Sequence, residues 1–160
     1  MKAIVIRGVG GPEVLALDEV PTPEPRGERI RVRVRACGLN RADLMQARGK
    51  YPAPAGVPAD IPGLEYAGEV DALGPDVTGP LRVGDRVFGI VGGGGQAEYV
   101  VVHERLVVPI PRNLNFVQAA AVPEVFITAH DALTTQGKLE PGESVLIQGV
   151  GSGVGTAALQ

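Results

Sequence analysis

Strict alternation of apolar and polar residues marks one segment of the chain most clearly. Between Arg29 and Arg35, arginines at every second position alternate with Ile30, Val32 and Val34. Successive side chains of a strand point to opposite faces, so this pattern predicts a strand with one buried and one solvated face. We interpret the arginines as the solvent-exposed face of that strand rather than as an anion-binding site.

Short apolar segments bounded by glycine and proline predict further strands. These are Lys2–Arg7, Val14–Val20, Tyr66–Leu73, Arg86–Val91, Gln96–Val102 and Leu106–Ile110. A short helix is predicted over Asn40–Arg48, where Asn40 can cap the N-terminus. Residues 51–63 show neither a strand nor a helix pattern and are predicted to form a proline-rich loop. The first 110 residues are therefore expected to form a β-rich unit with one short helix.

In the last third of the chain, the spacing of apolar residues changes from the alternation typical of strands to a helical pattern. Residues 117–122 predict a short helix, and Pro123 suits the first turn of a longer helix that reaches about Thr135. Val145–Ile147 predicts a strand that leads through GVGSGVG into a helix starting near Thr156. We therefore expect two domains, 1–120 and 121–160, of which the second is incomplete.

The order of strand, glycine-rich turn and helix is how a dinucleotide-binding βαβ unit opens. Glycine allows positive φ and lets a pyrophosphate approach the backbone N–H groups of the following helix. Strict GxGxxG spacing does not fit, because Val154 and Thr156 stand where a third glycine is required. A plain tight turn remains an alternative. The residue that distinguishes NAD from NADP would lie about 20 residues further on, beyond Gln160.

Composition and charge narrow the function classes. The net charge is −3 and no basic cluster occurs, which argues against nucleic acid as a partner. The single cysteine, Cys37, excludes an internal disulfide framework and is typical of a reducing compartment. The apolar run before Arg7 is too short for a signal peptide or a membrane span. We expect a cytoplasmic protein with no membrane contact.

Several segments, in chain order, resemble the medium-chain dehydrogenase/reductase superfamily. They are CGLNRADLMQARGKYP at 37–52, PGLEYAGEV at 62–70, VGDRVFGIVGGGGQAEYV at 83–100 and AAAVPEVFITA at 119–129. Within the superfamily they are similar to the zinc-free quinone oxidoreductase branch, especially to its tumour-suppressor-inducible type. The resemblance implies a mainly β GroES-like barrel domain followed by the start of an α/β Rossmann domain, as a fragment of a two-domain enzyme.

The resemblance also implies a function. It implies reduction of a small-molecule quinone or activated carbonyl compound with NADPH, usually by a homodimer, and NADH is not excluded. Reduction of α,β-unsaturated carbonyls and a non-enzymatic structural or binding role remain alternatives. We expect the 160-residue chain alone to be inactive, because it lacks most of the nucleotide-binding sheet.

Three positions bind the catalytic zinc in the zinc-dependent relatives. The cysteine of G-x-C-x-x-D is replaced by Asn40, the histidine of G-H-E by Leu64, and Glu124 stands at the third position. A catalytic zinc needs three protein ligands, and a single carboxylate does not hold it. We therefore expect no metal.

Asn40, Asp43 and Tyr51 are the candidate catalytic residues. Asn40 and Asp43 stand on the metal side of the cleft implied by the resemblance, and they offer amide and carboxylate hydrogen bonds. Their alternative roles are local, with Asn40 as a helix cap and Asp43 as a favourable charge in the first turn. The Tyr51 phenol can stack on a flat ring and donate a proton, or it can anchor the loop to the core. Glu65 is expected to have a structural hydrogen-bonding role.

The resemblance also implies a set of cofactor contacts. The Thr128 hydroxyl would meet the nicotinamide carboxamide, and the alternative is a hydrogen bond to the preceding helical turn. Ser152 could reach a phosphate or the substrate. The complete predicted set is Asn40, Tyr51, Thr128, Gly149, Val150, Gly151, Ser152, Gly153, Val154 and Gly155.

Overall fold

The structure is a computed structural model that describes all residues from Met1 to Gln160. It divides into two compact units, Met1–Ala121 and Val122–Gln160. The first unit is built from strands and the second from helices. No helix combines the length and the apolar character needed to cross a membrane.

Seven antiparallel strands form two sheets in the first unit. A hairpin pairs β1 with β2, and a five-stranded sheet has the order β6-β3-β4-β5-β7. The strands are β1 (Lys2–Ile6), β2 (Leu15–Glu19), β3 (Arg29–Cys37), β4 (Glu65–Leu73), β5 (Arg86–Ile90), β6 (Tyr99–His103) and β7 (Val108–Pro109). A single bridge between Ala3 and Ala97 links the hairpin to the segment before β6.

The alternation predicted for Arg29–Arg35 is confirmed in β3. Ile30 and Val32 are fully buried, whereas the arginines face the opposite side and are at least partly exposed. Arg31 donates to Asp71 on β4 at 2.6 Å and lies over the ring of Tyr99. Arg35 likewise donates to Glu69 of β4 at 2.7 Å, so partners for two of the arginines lie on this solvent-exposed face of the sheet, which supports the interpretation.

The core of the first unit lies on both faces of β4. Tyr66 packs with Ile30, Val32 and other valines of the sheet on one face. Its neighbour Ala67 packs on the opposite face, in a second cluster with Ile110 and the end of α2 (Phe116–Ala120). Adjacent strand residues point to opposite faces, so one strand serves both clusters.

Helices follow the predicted positions, with shifted ends. They are α1 (Arg41–Ala47) and α2 in the first unit, and α3 (Pro123–His130) and α4 (Gly153–Leu159) in the second. The helix predicted to reach Thr135 changes geometry after His130 and continues as a π-helix over Asp131–Gln136. Short 3-10 helices occupy Pro12–Val14 and Glu104–Leu106.

Two strand predictions need correction. Residues 96–98 belong to the predicted strand Gln96–Val102, but they pair with β1 through Ile4 N–H to Gln96 C=O at 2.9 Å, and β6 begins at Tyr99. Val145–Ile147 forms no strand at all, and Leu146 is 85% exposed. A strand is defined by a hydrogen-bonded neighbour, and an apolar run alone does not provide one.

Tyr66 gives a test of the core packing. The side chain is fully buried, its hydroxyl has no hydrogen-bond partner, and burial raises the pKa of the phenol well above its ordinary value. Because an unpaired buried hydroxyl costs free energy, we expect Tyr66→Phe to keep or increase the free energy of unfolding, by about 1 kcal/mol at most. Urea denaturation followed by circular dichroism measures this.

Tyr99→Phe is the matched control, because the ring face below Arg31 is kept. We expect that variant to stay within about 0.5 kcal/mol of the parent protein. A loss of more than about 1 kcal/mol in Tyr66→Phe alone would show that the hydroxyl has a partner, contrary to the structure.

Candidate functional site

The N-terminus of α1 brings the first two candidate residues together. Asn40 occupies the N-cap position with extended backbone angles (φ −117°, ψ 152°), and its N–H donates to the Asp43 Oδ2 at 2.8 Å. The side-chain Nδ2 of Asn40 donates to Glu65 Oε1 at 2.8 Å, at the start of β4. The local role and a wider role of Asn40 are therefore compatible.

Asp43 connects three separate segments of the first unit. In addition to the Asn40 N–H, it accepts the Gly63 N–H on Oδ1 and the Gln96 Nε2–H on Oδ2, each at 3.1 Å. The residue is 8% exposed. We call Asn40, Asp43, Gly63, Glu65 and Gln96 the Asp43 cluster.

Burial and hydrogen bonding have opposite effects on the pKa of the Asp43 carboxyl group. Burial raises the pKa of Asp43, and the hydrogen bonds from Asn40, Gly63 and Gln96 lower it, with burial the larger influence. Burial disfavours the ionised carboxyl, and donated hydrogen bonds stabilise it. The donors thus limit the cost of a carboxylate in this position.

Glu65 stands at the start of β4 and is 3% exposed. Its side chain lies so close to the end of β3 that a Cβ at Gly38 would approach Glu65 Cγ to 2.6 Å. Glycine at position 38 is therefore required for the close approach. The contact between Glu65 and Asn40 supports the structural hydrogen-bonding role expected for Glu65.

Cys37 lies beside both carboxylates. Burial raises the pKa of its thiol, and the negative charges of Asp43 and Glu65 raise it further. The thiol is therefore protonated and weakly nucleophilic at neutral pH.

Tyr51 does not join the Asp43 cluster. It lies in a bend at the start of the proline-rich loop, is 42% exposed, and makes no hydrogen bond in the structure. Its exposure speaks against the alternative role as a buried loop anchor. The phenol remains accessible to a ligand.

An open groove of about 390 Å³ borders the Asp43 cluster and is lined by Cys37, Leu39 and Gln96, among others. Leu39 is 84% exposed and Leu44 of α1 is 43% exposed, so two aliphatic side chains are exposed close to Asn40 in the sequence. A larger cavity of about 700 Å³ lies along β6, and none of the predicted site residues lines either space. Gln96 is the member of the Asp43 cluster that lines the groove.

The residues at the zinc-ligand positions do not fit a zinc ion. Leu64 is an aliphatic side chain, 4% exposed, and the amide of Asn40 is engaged with Glu65. No group of three or more histidine, cysteine, aspartate or glutamate side chains is arranged to hold a metal.

The second unit contains the remaining predicted contacts. Ser152 caps α4, and its Oγ accepts the Gly155 N–H at 3.0 Å. Gly149 has a φ of +72°, which favours glycine. A Cβ at Gly155 would lie 2.7 Å from Val150 Cα, so the helix start packs directly on the loop backbone. Thr128 is on the exposed side of α3, and its hydroxyl makes no hydrogen bond to the preceding turn.

Gly155 performs the packing role of the last glycine in the dinucleotide fingerprint, although the spacing differs from GxGxxG. The loop backbone therefore lies close to a helix N-terminus, where the N–H groups have no intrahelical acceptor. Close backbone packing is compatible with both a nucleotide-binding loop and a plain tight turn, so nucleotide binding at this loop stays a prediction.

A family model described as the alcohol dehydrogenase GroES-like domain matches residues 26–112. The chain belongs to this family. It is 38% identical over 162 residues to a quinone oxidoreductase of Lama guanicoe, with 100% of the chain and 48% of the relative covered. The chain thus spans about half the length of this curated relative.

Solved structures agree with this assignment. The human synaptic vesicle membrane protein VAT-1 homolog-like protein is 40% identical with a TM-score of 0.91, over 99% of this chain and 50% of that one. A mycobacterial protein complexed with NADPH is 31% identical with a TM-score of 0.88, over 99% and 48% of the two chains. The resemblance to the medium-chain dehydrogenase/reductase superfamily and the fold class, a fragment of a two-domain protein, are confirmed.

Sequence reasoning missed Gln96 and Gly63 as members of the cluster. Gln96 is 53 positions away from Asp43, and Gly63 is 20 positions away. The one available signal was the run GGGGQ at 92–96, which indicates close backbone packing just before Gln96.

The thiol of Cys37 gives a direct test of the electrostatics. We expect iodoacetamide to alkylate Cys37 at pH 7.5 more slowly than a cysteine in a peptide, because a raised pKa leaves little thiolate. Asp43→Asn removes one of the negative charges and is expected to speed the reaction. Mass spectrometry measures the rates, and the single cysteine makes the signal unambiguous.

Asp18→Asn is the control, because Asp18 pairs with Arg7 on the hairpin and does not act on the Cys37 thiol. Equal rates for Cys37 and a peptide cysteine, in the parent protein, would contradict the charge distribution described here.

Gly155 and Gly151 give a matched pair in the glycine loop. A methyl group at Gly155 overlaps the loop backbone, whereas a Cβ at Gly151 meets no atom within 4 Å. We expect Gly155→Ala to cost about 1–3 kcal/mol of folding free energy and Gly151→Ala almost none. Thermal denaturation of the full-length protein compares them, and equal melting temperatures would rule out the tight packing.

Proposed function

We propose that this chain is part of a zinc-independent, NADPH-dependent oxidoreductase that reduces quinones. The observation that carries the proposal is the Asp43 cluster, which holds the Asn40 amide at the position where zinc-dependent relatives have a metal ligand. A hydrogen-bonding amide orients and polarises an acceptor less strongly than a metal. A quinone is intrinsically electron-poor and therefore suits such a site.

The surroundings of the cluster support a flat, apolar acceptor. Leu39, the neighbour of Asn40, is exposed and lines the groove that Gln96 of the cluster also lines. Pockets for small molecules are mostly apolar with a few polar groups that fix orientation. The solvent-accessible phenol of Tyr51 remains a predicted contact, because it can stack on the ring of the quinone.

The glycine loop and Thr128 are the proposed contacts of the cofactor in the second unit, together with Asn40 and Tyr51 from the first. NADPH, when bound, supplies a hydride from its nicotinamide ring. The protein's own part is to orient the acceptor and limit water access. A relative of 31% identity complexed with NADPH and one of 34% identity described as an NAD-dependent alcohol dehydrogenase both support a nicotinamide cofactor, and the choice of NADPH comes from the family resemblance. A homodimer in the cytoplasm remains part of the proposal.

Kinetics of the full-length protein test the proposal. We expect NADPH-dependent turnover of quinones, and a panel that also contains enones separates the alternative reductase of α,β-unsaturated carbonyls. Calorimetric titration with NADPH and NADH separates both from a non-enzymatic role. Turnover of enones alone would reject the quinone assignment, and no heat with either cofactor would reject an enzyme.

Asn40→Ala tests the residue that carries the proposal. We expect a drop in kcat of about tenfold or more, because loss of a transition-state hydrogen bond costs this much. Asn115→Ala is the matched control, since Asn115 also caps a helix, through its Oδ1 and the Gln118 N–H at 2.9 Å. It is expected to lose about 1 kcal/mol of stability and no activity. Equal kcat for both variants would contradict the role of Asn40.

A further inference from the structure

We infer that Gln96 is a positioning residue that acts through Asp43 on the Asn40 amide. The inference rests on the proposed function and adds a residue to its site. Its basis is that a single carboxylate oxygen, Asp43 Oδ2, accepts both the Asn40 N–H at 2.8 Å and the Gln96 amide at 3.1 Å.

Gln96 itself has a fixed position. Its N–H donates to Pro62 C=O at 2.9 Å, and its C=O accepts the Ile4 N–H at 2.9 Å. Gly63, with a φ of +108°, leaves room for the side chain, because a Cβ there would lie 2.9 Å from Gln96 Cγ. With its backbone held on both sides, Gln96 presents its amide to Asp43 from a rigid segment.

Two side chains restrain Asn40 through different atoms, in addition to the Asp43 N–H that donates to the Asn40 C=O at 3.1 Å. Asp43 holds the backbone N–H, and Glu65 holds the side-chain Nδ2. The direction of the amide is defined only while both are in place. Without the Gln96 donor, the carboxylate keeps the Asn40 N–H on Oδ2 and the Gly63 N–H on Oδ1 but loses one of its three donors, so the backbone restraint on Asn40 is weakened.

A purely structural role of Gln96 predicts something different. Gln96 also joins the loop before β4 to the hairpin, so its loss could lower stability with no specific effect on Asn40. Gln46 supplies the comparison. Gln46 is 8% exposed, whereas Gln96 is half-buried, and the Gln46 Nε2 donates to Ala59 C=O at 3.0 Å rather than to Asp43 or Asn40.

The experiment is a double-mutant cycle on kcat in the full-length protein with NADPH and the best quinone of the panel. Gln96→Met keeps the side-chain volume and removes the donor. We expect a fall in kcat of about tenfold with the KM for NADPH little changed. In the Asn40→Ala background the same substitution is expected to have no further effect on kcat, because its action passes through Asn40.

Gln96→Lys restores a donor and is expected to recover most of kcat. Gln46→Met is expected to lower the melting temperature and leave kcat unchanged. If Gln96→Met does not fold, Gln96→Asn takes its place, because the amide one methylene shorter no longer reaches Asp43.

The outcomes separate the inference from the proposed function. The positioning role is overturned if Gln96→Met lowers kcat by the same factor in the parent protein and in the Asn40→Ala variant, or does not lower kcat at all. In either case Asn40→Ala by itself still lowers kcat, so the proposed site stands. If Asn40→Ala itself leaves kcat unchanged, the proposed site fails, and the role of Gln96 fails with it.

Discussion

The buried Asp43 carboxylate is the interaction on which the site depends. It joins the N-terminus of α1, the loop before β4 and the segment before β6, which are distant in sequence. A carboxylate with 8% exposure is tolerated in a protein interior only when donors surround it. The three N–H donors meet that condition and fix the positions of the segments from which they come.

The same arrangement explains which small residues are needed. Gly38 lets Glu65 lie against the end of β3, and Gly63 lets Gln96 approach Asp43. Burial raises the pKa of the Cys37 thiol, and the charges of both carboxylates raise it further. The packing that orients Asn40 therefore also leaves the only sulfhydryl of the chain weakly reactive.

Local features were predictable from the sequence, and long-range contacts were not. The alternation in β3, the helix after Asn40 and the family resemblance follow from residues close together in the chain, and all were found. The strand at Val145–Ile147 failed because strand formation requires a neighbour that the run itself does not encode. Gln96 was missed because its hydrogen bond to Asp43 spans 53 positions and a glutamine has no distinctive spacing.

The central claim is that a hydrogen-bonded amide performs the orienting task for which zinc-dependent relatives use a metal. Elemental analysis of the full-length protein, combined with quinone reduction by NADPH before and after prolonged treatment with a chelator, tests it most directly. The account predicts substoichiometric zinc and an unchanged rate. One zinc ion per subunit, with activity lost on chelation and restored by added zinc, would contradict it.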